Sequence, residues 1–341
     1  MKRPPLRLAA AVTGLACIAA LSACSGGSTA GSTVKLQLSI PDPITSSVGV
    51  TAQHFADEVK AKSDGKIVVT VIPNGTSFGG DQAAAVTRLQ GGSLDALILS
   101  TSVYAATDPK MNAISIPYLF ADTEAEAAYL AGEPGKTLLA DLEAEHTKGL
   151  ALLTRTSREI TNNKRPITKP ADLQGLKIRV PGNTLWTDFF KELGASPTTM
   201  AFSEVFTGLQ TGTIDGQENP VEVPLTNKLY EVQDYLSLTN HINDAFILAL
   251  SEKKWASLDD GQKAVLQSVA EETATFKTTT DAEAAEKAIA ELEAKGMKVN
   301  KLSDAELEGF KEVSKRLYPK FSELIGKEFF DKTIAFATPK S

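Results

Sequence analysis

LQGGSLDA (89–96) and LQTGTIDG (209–216) are one phrase met twice in a single chain. Each reads Leu-Gln-x-Gly, then Ser or Thr, then Leu or Ile, then Asp and a small residue, 120 positions apart. Eight residues do not establish a duplication, but the order of elements around them also repeats. Before the first copy, VKLQLSI (34–40) alternates as a strand and stops at Pro41. Residues 46–62 carry Val48, Ala52, Phe55 and Val59 at helical spacing, and KIVVTVI (66–72) is again a strand. A helix from about Asp81 to Gln90 then runs into the phrase, whose apolar end reads as a buried strand. Before the second copy, LKIRV (176–180) alternates and stops at Pro181. Asn183 can cap a helix bearing Trp186, Phe189, Phe190 and Leu193, closed by Gly194. TTMAF (198–202) is extended and SEVFTGLQ (203–210) helical. The repeated order favours two similar α/β lobes over one large sheet, and the crevice between lobes is a common place for a small-molecule site.

The chain opens MKRPPLRLAAAVTGLACIAALSAC. Lys2, Arg3 and Arg7 form a basic n-region, and Leu8 to Leu21 form an apolar run too short to span a bilayer comfortably. Leu21-Ser22-Ala23-Cys24 resembles the bacterial lipoprotein signal, which implies cleavage before Cys24 and a diacylglycerol on its thiol. The alternative is an ordinary signal peptide that contains a cysteine. SGGSTAGST (25–33) reads as a flexible tether, which a domain starting at once would not need. Residues 1–23 are then the signal peptide and 24–33 the lipidated cysteine and tether. Cys17 and Cys24 are the only cysteines, so the mature chain keeps no thiol for a disulfide, metal site or nucleophile. Its 318 residues suffice for a core without staples and suggest about two domains. Net charge moves from −7 to −10 on removal of the signal, which disfavours nucleic acid as a partner. No later stretch approaches membrane-spanning length, so the lipid is the expected anchor.

Ser257 to Gly296 reads as one long helix, with Ser257 and Asp260 resembling a capping box and Gly296 ending it. At about 1.5 Å per residue it would run on the order of 55 Å, longer than one lobe is wide. Two shorter helices joined near Thr278-Thr279-Thr280 are the alternative. Enzyme signatures are thin: no phosphate-cradling Gly-rich loop, no GxSxG, no HExxH, and three histidines (His54, His146, His241) without a carboxylate at ligand spacing. The informative polar residues fall in the second half. Arg179 ends the strand LKIRV just before a helix, where open α/β sheets place ligands, although a solvated charge suits that position equally. SREITNNKRP (157–166) sets Arg158 past the end of the apolar run 149–153, and DGQENP (215–220) sets Asn219 after a strand, held extended by Pro220. Two guanidinium forks and an amide on one crevice would suit a carboxylate.

NNKRPI, DLQGLKIRVPGN, LGASPTTMAFSEVFTGLQTGTIDGQENP and KLYEVQDYLSLTNH together resemble the solute-binding proteins of tripartite ATP-independent periplasmic (TRAP) transporters. ISIPYLF (114–120), SDGKIVVTVIPNG and the long helix extend the likeness over nearly the whole mature chain. The resemblance implies a two-lobed periplasmic-binding-protein-like α/β fold, with crossover strands and a long helix spanning both lobes. Lobe I is expected over 34–155 plus about 245–284, and lobe II over 156–244 plus about 285–338. It also implies a receptor that closes around a small organic acid and delivers it to ion-gradient-driven permease subunits. No cofactor, metal or nucleic acid is expected, and a monomer is the ordinary state. Carried over by motif, Arg179 matches the carboxylate clamp, Arg158 a second arginine near the site, Asn219 a ligand-contacting amide and Phe202 an aromatic beside the ligand. Phe202 could instead be core, and Trp186 shares the stripe of Phe189, Phe190 and Leu193, which reads as core. Asp81 of FGGD and Ser100 of LSTSVY are first-lobe candidates; sialic-acid-binding members carry a glutamate where Ser100 stands, which argues against sialic acid. The competing functions are an exported cleft enzyme such as a hydrolase, and a neutral-sugar receptor of an ATP-driven importer.

Overall fold

The computed structural model describes residues 33–338; the signal segment and Cys24 lie outside the described residues. In chain order the strands are β1 (Val34–Ser39), β2 (Ile67–Ile72), β3 (Ala96–Ser100), β4 (Thr147–Thr154), β5 (Arg158–Asn162), β6 (Lys177–Val180), β7 (Ser196–Thr199), β8 (Gly216–Pro220), β9 (Tyr235–Ile242), β10 (Ala245–Ser251) and β11 (Lys298–Lys301). The helices are α1 (Ser47–Lys62), α2 (Gln82–Gln90), α3 (Thr101–Tyr104), α4 (Thr123–Ala131), α5 (Glu133–Asp141), α6 (Thr184–Glu192), α7 (Val205–Gln210), α8 (Glu222–Thr226), α9 (Glu252–Ala256), α10 (Asp260–Ala294), α11 (Asp304–Arg316), α12 (Tyr318–Ile325) and α13 (Lys327–Ala337). One sheet runs β2-β1-β3-β10-β4 and the other, from its opposite edge, β7-β6-β8-β5-β9-β11.

Over five positions the sheets agree, and β11 extends the second beside β9. The parallel pairs β1·β2 and β1·β3 answer to β6·β7 and β6·β8, and the antiparallel pairs β3·β10 and β10·β4 answer to β8·β5 and β5·β9. The chain passes between the sheets three times, through the short segments 155–157 and 243–244 and then along α10.

The repeated phrase folds the same way in both sheets. Gly92 and Gly212 take left-handed φ of 71° and 72°, a region closed to most side chains. Their amides donate back to the carbonyls of Leu89 and Leu209, at 2.9 and 3.2 Å. The amides of Leu94 and Ile214 reach Arg88 and Gly208, both at 3.2 Å. The aspartates finish the job. Asp95 accepts the Gln37 amide of β1 at 3.1 Å, and Asp215 accepts the Lys177 amide of β6 at 2.9 Å. Each phrase thus ends a helix, turns on glycine and pins the next strand to its parallel neighbour.

Apolar residues line both faces of each sheet. Leu36, Leu38, Ile98 and Leu248 meet α1 and the first half of α10, whereas Leu97, Leu99 and Ile247 meet α2 to α5. Ile160, Ile178 and Val180 pack on Phe189, Phe190, Phe310 and Phe321 of α6, α11 and α12. Helix α10 is uninterrupted through Thr278–Thr280. It buries Leu266, Val269 and Ala270 in the first sheet's core, then Ala288 and Leu292 beside Leu236 and Val221 of the second. Its cap corrects the sequence expectation: Asp259 and Gln262 form the capping box, and Ser257 lies in the turn after α9, donating to the Lys254 carbonyl. An aspartate whose N3 partner is a long amide closes both orphan amides, which Ser257 with Asp260 does not. Helix α13 packs Phe330 on Tyr318 of α12 and Phe336 and Thr333 on Tyr129 of α4.

Candidate functional site

The carboxyl ends of β1, β3, β6 and β8 converge on one cavity, the place where open α/β sheets hold ligands. About 440 Å³ of space lies between its walls, open solvent at the mouth included. Its wall takes Asp42, Ser100 and Ser102 from the first sheet's side, and Arg158, Arg179 and Asn219 from the second. Arg155, on the first passage between the sheets, also faces it.

Arg179 is only 5% exposed at the third position of the four-residue strand β6. Its Nε and Nη2 both donate to the Met200 carbonyl, at 3.1 and 2.9 Å, which fixes the plane of the guanidinium. Phe202 lies against it with the ring centre 5.8 Å from Cζ. No carboxylate of the described residues comes within ion-pair distance of Arg179. Burial pushes its pKa down to about 10, with the like charge of Arg158 adding to the effect and Glu218 opposing it. It is a cation held ready without a protein counterion.

Arg158 differs. It begins β5 rather than following a strand, and its fork is spent within the protein. Nε and Nη2 donate to the Glu218 carboxylate at 2.5 and 3.0 Å, and Nη2 also reaches the Asn219 side-chain oxygen at 2.9 Å. Nη1 stands 3.6 Å from Asp244. The indole of Trp186 lies beneath, 4.5 Å from Cζ, so Trp186 is a buried support for the arginine and lines no part of the cavity. Asn219 sits inside β8, not after it, and its amide nitrogen donates to Gln217 at 2.6 Å. Although burial favours neutral forms, Arg158 pulls Glu218 below the usual carboxylate range, and the paired acids raise Arg158. His241 stands 3.4 Å from Glu218 with its pKa lowered by burial. This network is a rigid floor.

On the first sheet's side, the Ser100 hydroxyl caps α3, donates to Asp244 and lies 2.7 Å from the Ser102 hydroxyl. Asp81 is exposed and absent from the cavity wall. Its carboxylate is occupied by the amides of Ala83 and Ala84 as the N-cap of α2, and the next residue, Gln82, reaches the wall instead. Four polar wall residues escape the sequence reading: Ser102 and the three that follow. Arg155 donates from Nη1 to both Asp244 oxygens, at 3.0 and 2.8 Å, and lies 4.2 Å over Phe246. Asp42 is half-buried between Pro41 and Pro43, and burial raises its pKa against the pull of Arg155. Gln82 is the third. The PDP triplet was a usable signal, since two prolines hold an acid at a strand's end with little freedom; Arg155 carried none beyond its nearness to Arg158.

Among the described residues no group of three His, Cys, Asp or Glu could hold a metal ion, and no helix is long and apolar enough to cross a membrane.

The family model for bacterial extracellular solute-binding protein, family 7, matches residues 42–324. The 2,3-diketo-L-gulonate-binding periplasmic protein YiaO of Escherichia coli (strain K12) is 34% identical over 255 residues, 75% of this chain and 77% of its own. The C4-dicarboxylate-binding protein DctB of Bacillus subtilis (strain 168) is 29% identical over 281 residues, 82% of this chain and 80% of its own. Among solved structures, the sugar acid binding protein DctPAm from Advenella mimigardefordensis strain DPN7T, in complex with galactonate, matches with a TM-score of 0.86 and 32% identity. That match covers 90% of this chain and 98% of the other.

Proposed function

The chain belongs to family 7 of the bacterial extracellular solute-binding proteins, and on that premise we propose that it captures a small organic acid between its two sheets and hands it to a TRAP-type membrane permease. Arg179 carries the reading. A buried guanidinium with no protein counterion is costly unless a ligand supplies the anion. With Nε and Nη2 anchored on Met200, the free edge of the fork faces the cavity in a fixed plane, suited to a carboxylate. Arg158, already paired with Glu218, keeps the floor rigid. Capture proceeds by closure of two lobes, one built on each sheet, with the bound acid favouring the closed form through contacts made only there. Cys24 carries the lipid that keeps the receptor at the membrane, and the receptor works as a monomer.

A thermal-shift screen against carboxylates and matched neutral sugars tests the reading. Ligand at about 100 times its dissociation constant stabilises the folded state by about 2.7 kcal/mol. We expect shifts only with acids. Arg179→Ala should weaken binding by roughly thirty-fold to several thousand-fold, from the loss of about 2–5 kcal/mol when one partner of a buried charge pair is removed. Arg179→Lys should also weaken it, since a point charge does not reproduce the fork. Shifts with neutral sugars alone, or acid binding indifferent to both substitutions, would overturn the proposal.

A further inference from the structure

The charges on the cavity wall do not favour every acid equally. Three guanidinium groups face it, from Arg155, Arg158 and Arg179. Glu218 takes the charge of Arg158, and Asp244, which both Nη1 atoms approach, takes that of Arg155. One positive charge is left, on Arg179. The only acid on the wall itself is Asp42, contributed by the first sheet's side, and it lines the adjoining cavity with Arg155 as well. The other polar wall residues there are neutral: Gln82, Ser100 and Ser102.

We infer that Asp42 makes this a site for monocarboxylic acids bearing hydroxyl groups, of the aldonic type, and against dicarboxylic acids of the same length. The inference rests on Arg179 holding the ligand's carboxylate. Once that carboxylate is seated, the wall has no uncompensated cation for a second. A second carboxylate would come to rest near Asp42 and Asp244 with a single guanidinium, Arg155, among three acids. Ionised, Asp42 repels it; protonated, Asp42 offers one hydrogen bond and no charge. A ligand hydroxyl meets the opposite situation, because an aspartate accepts from it, while Gln82 and Ser102 can donate to it or accept from it. Pro41 and Pro43 restrict the backbone at Asp42, which keeps its Cβ beside the cavity. This is selection by an element hostile to the competitor, in addition to one friendly to the ligand.

Calorimetric titration of the purified protein with end-group series tests the inference. Galactonate, galactarate and galactose share one carbon skeleton, as do erythronate, meso-tartrate and erythrose; gluconate and succinate complete the panel. At least one aldonate should bind at least about tenfold tighter than its dicarboxylate counterpart, since a like charge in contact costs more than about 1.4 kcal/mol. Asp42→Asn, which keeps shape and removes charge, should narrow that gap by improving the dicarboxylate, and Asp42→Ala should narrow it as well. A dicarboxylate that binds as tightly as its aldonate, a gap unchanged in both Asp42 variants, or no binding by any aldonate would each overturn the inference. If some acid still binds and Arg179→Ala abolishes it, the organic-acid receptor stands while the selectivity falls. Acid binding that survives Arg179→Ala would bring down both.

Discussion

Glu126, on α4, is a carboxyl group outside the cavity that touches both short passages between the sheets. It is fully buried; Oε2 accepts from Asn243 at 2.9 Å, and Oε1 has no partner among the described residues. Burial, chiefly, raises its pKa to about 8, with Asp244 and Asp281 adding to the rise and Asn243 and the Arg155 amide opposing it. The folded value therefore lies above the unfolded one, near 4.5, and the folded state holds one more proton between the two. Stability from this group is complete below pH 4.5, falls by about 1.4 kcal/mol per pH unit up to about pH 8, and is level beyond. Glu126→Gln removes the titration, keeps the oxygen that accepts from Asn243 and gives the bare position a donor. Urea unfolding of both proteins at pH 5 and pH 8.5 should show the variant gaining on the native chain by a few kcal/mol at the higher pH. Because other buried acids such as Glu159 and Glu222 also have raised values, the difference between the two proteins is the test. Equal pH slopes would mean that Glu126 is ionised in the fold.

At the scale of elements, α10 separates what a sequence discloses from what it conceals. Its length and its thin apolar stripe were legible, because helical spacing is a local property. So were the strand alternations, the Asn183 cap and the repeated phrase. What Lys277 and Asp281 do was not legible. Four residues apart on a helix, they look like an exposed i,i+4 pair, yet each side chain is 2% exposed, with Lys277 Nζ bonded to both Asp281 oxygens and to Ser47 of α1. They fill the stretch of α10 between its two apolar halves, against β10 and α1. The same blindness hid the state of Arg158, whose partner Glu218 lies 60 residues away, and the role of Asp81, whose capping bonds turn it from the cavity. Whether a charge is free depends on tertiary neighbours, and a single sequence does not list them. Asp281→Ala would strand a buried ammonium and should cost about 3–5 kcal/mol in denaturant unfolding, whereas Lys277→Met with Asp281→Ala should recover part of that loss. A double variant no more stable than the single one would show that the pair's worth lies in Asp281's other contact, with Ser47.

For the whole molecule, the consequence of two matching sheets is a mouth with two rims that meet. Gly80, in the loop before α2, and Ser203, in the turn before α7, come from opposite sides, and a Cβ built on Gly80 would lie 3.4 Å from the Ser203 Cβ. Disulfides need Cβ atoms about 3.5–4.5 Å apart, so the spacing suits a bond across the mouth. Gly80→Cys would place a side chain at a φ of 78°, at a cost of about 1–2 kcal/mol, which a cross-link worth about 2–4 kcal/mol offsets. If a bound acid enters and leaves by parting of these rims, Gly80→Cys with Ser203→Cys should behave as a lock. Oxidised while empty, it should fail to take up the acid identified by thermal shift; oxidised while loaded, it should hold that acid through extensive dialysis. Reductant should restore exchange in both cases, and each single variant should exchange normally throughout. Rapid exchange by the oxidised double variant would place the ligand's route elsewhere, and closure of the sheets about the cavity would no longer explain capture.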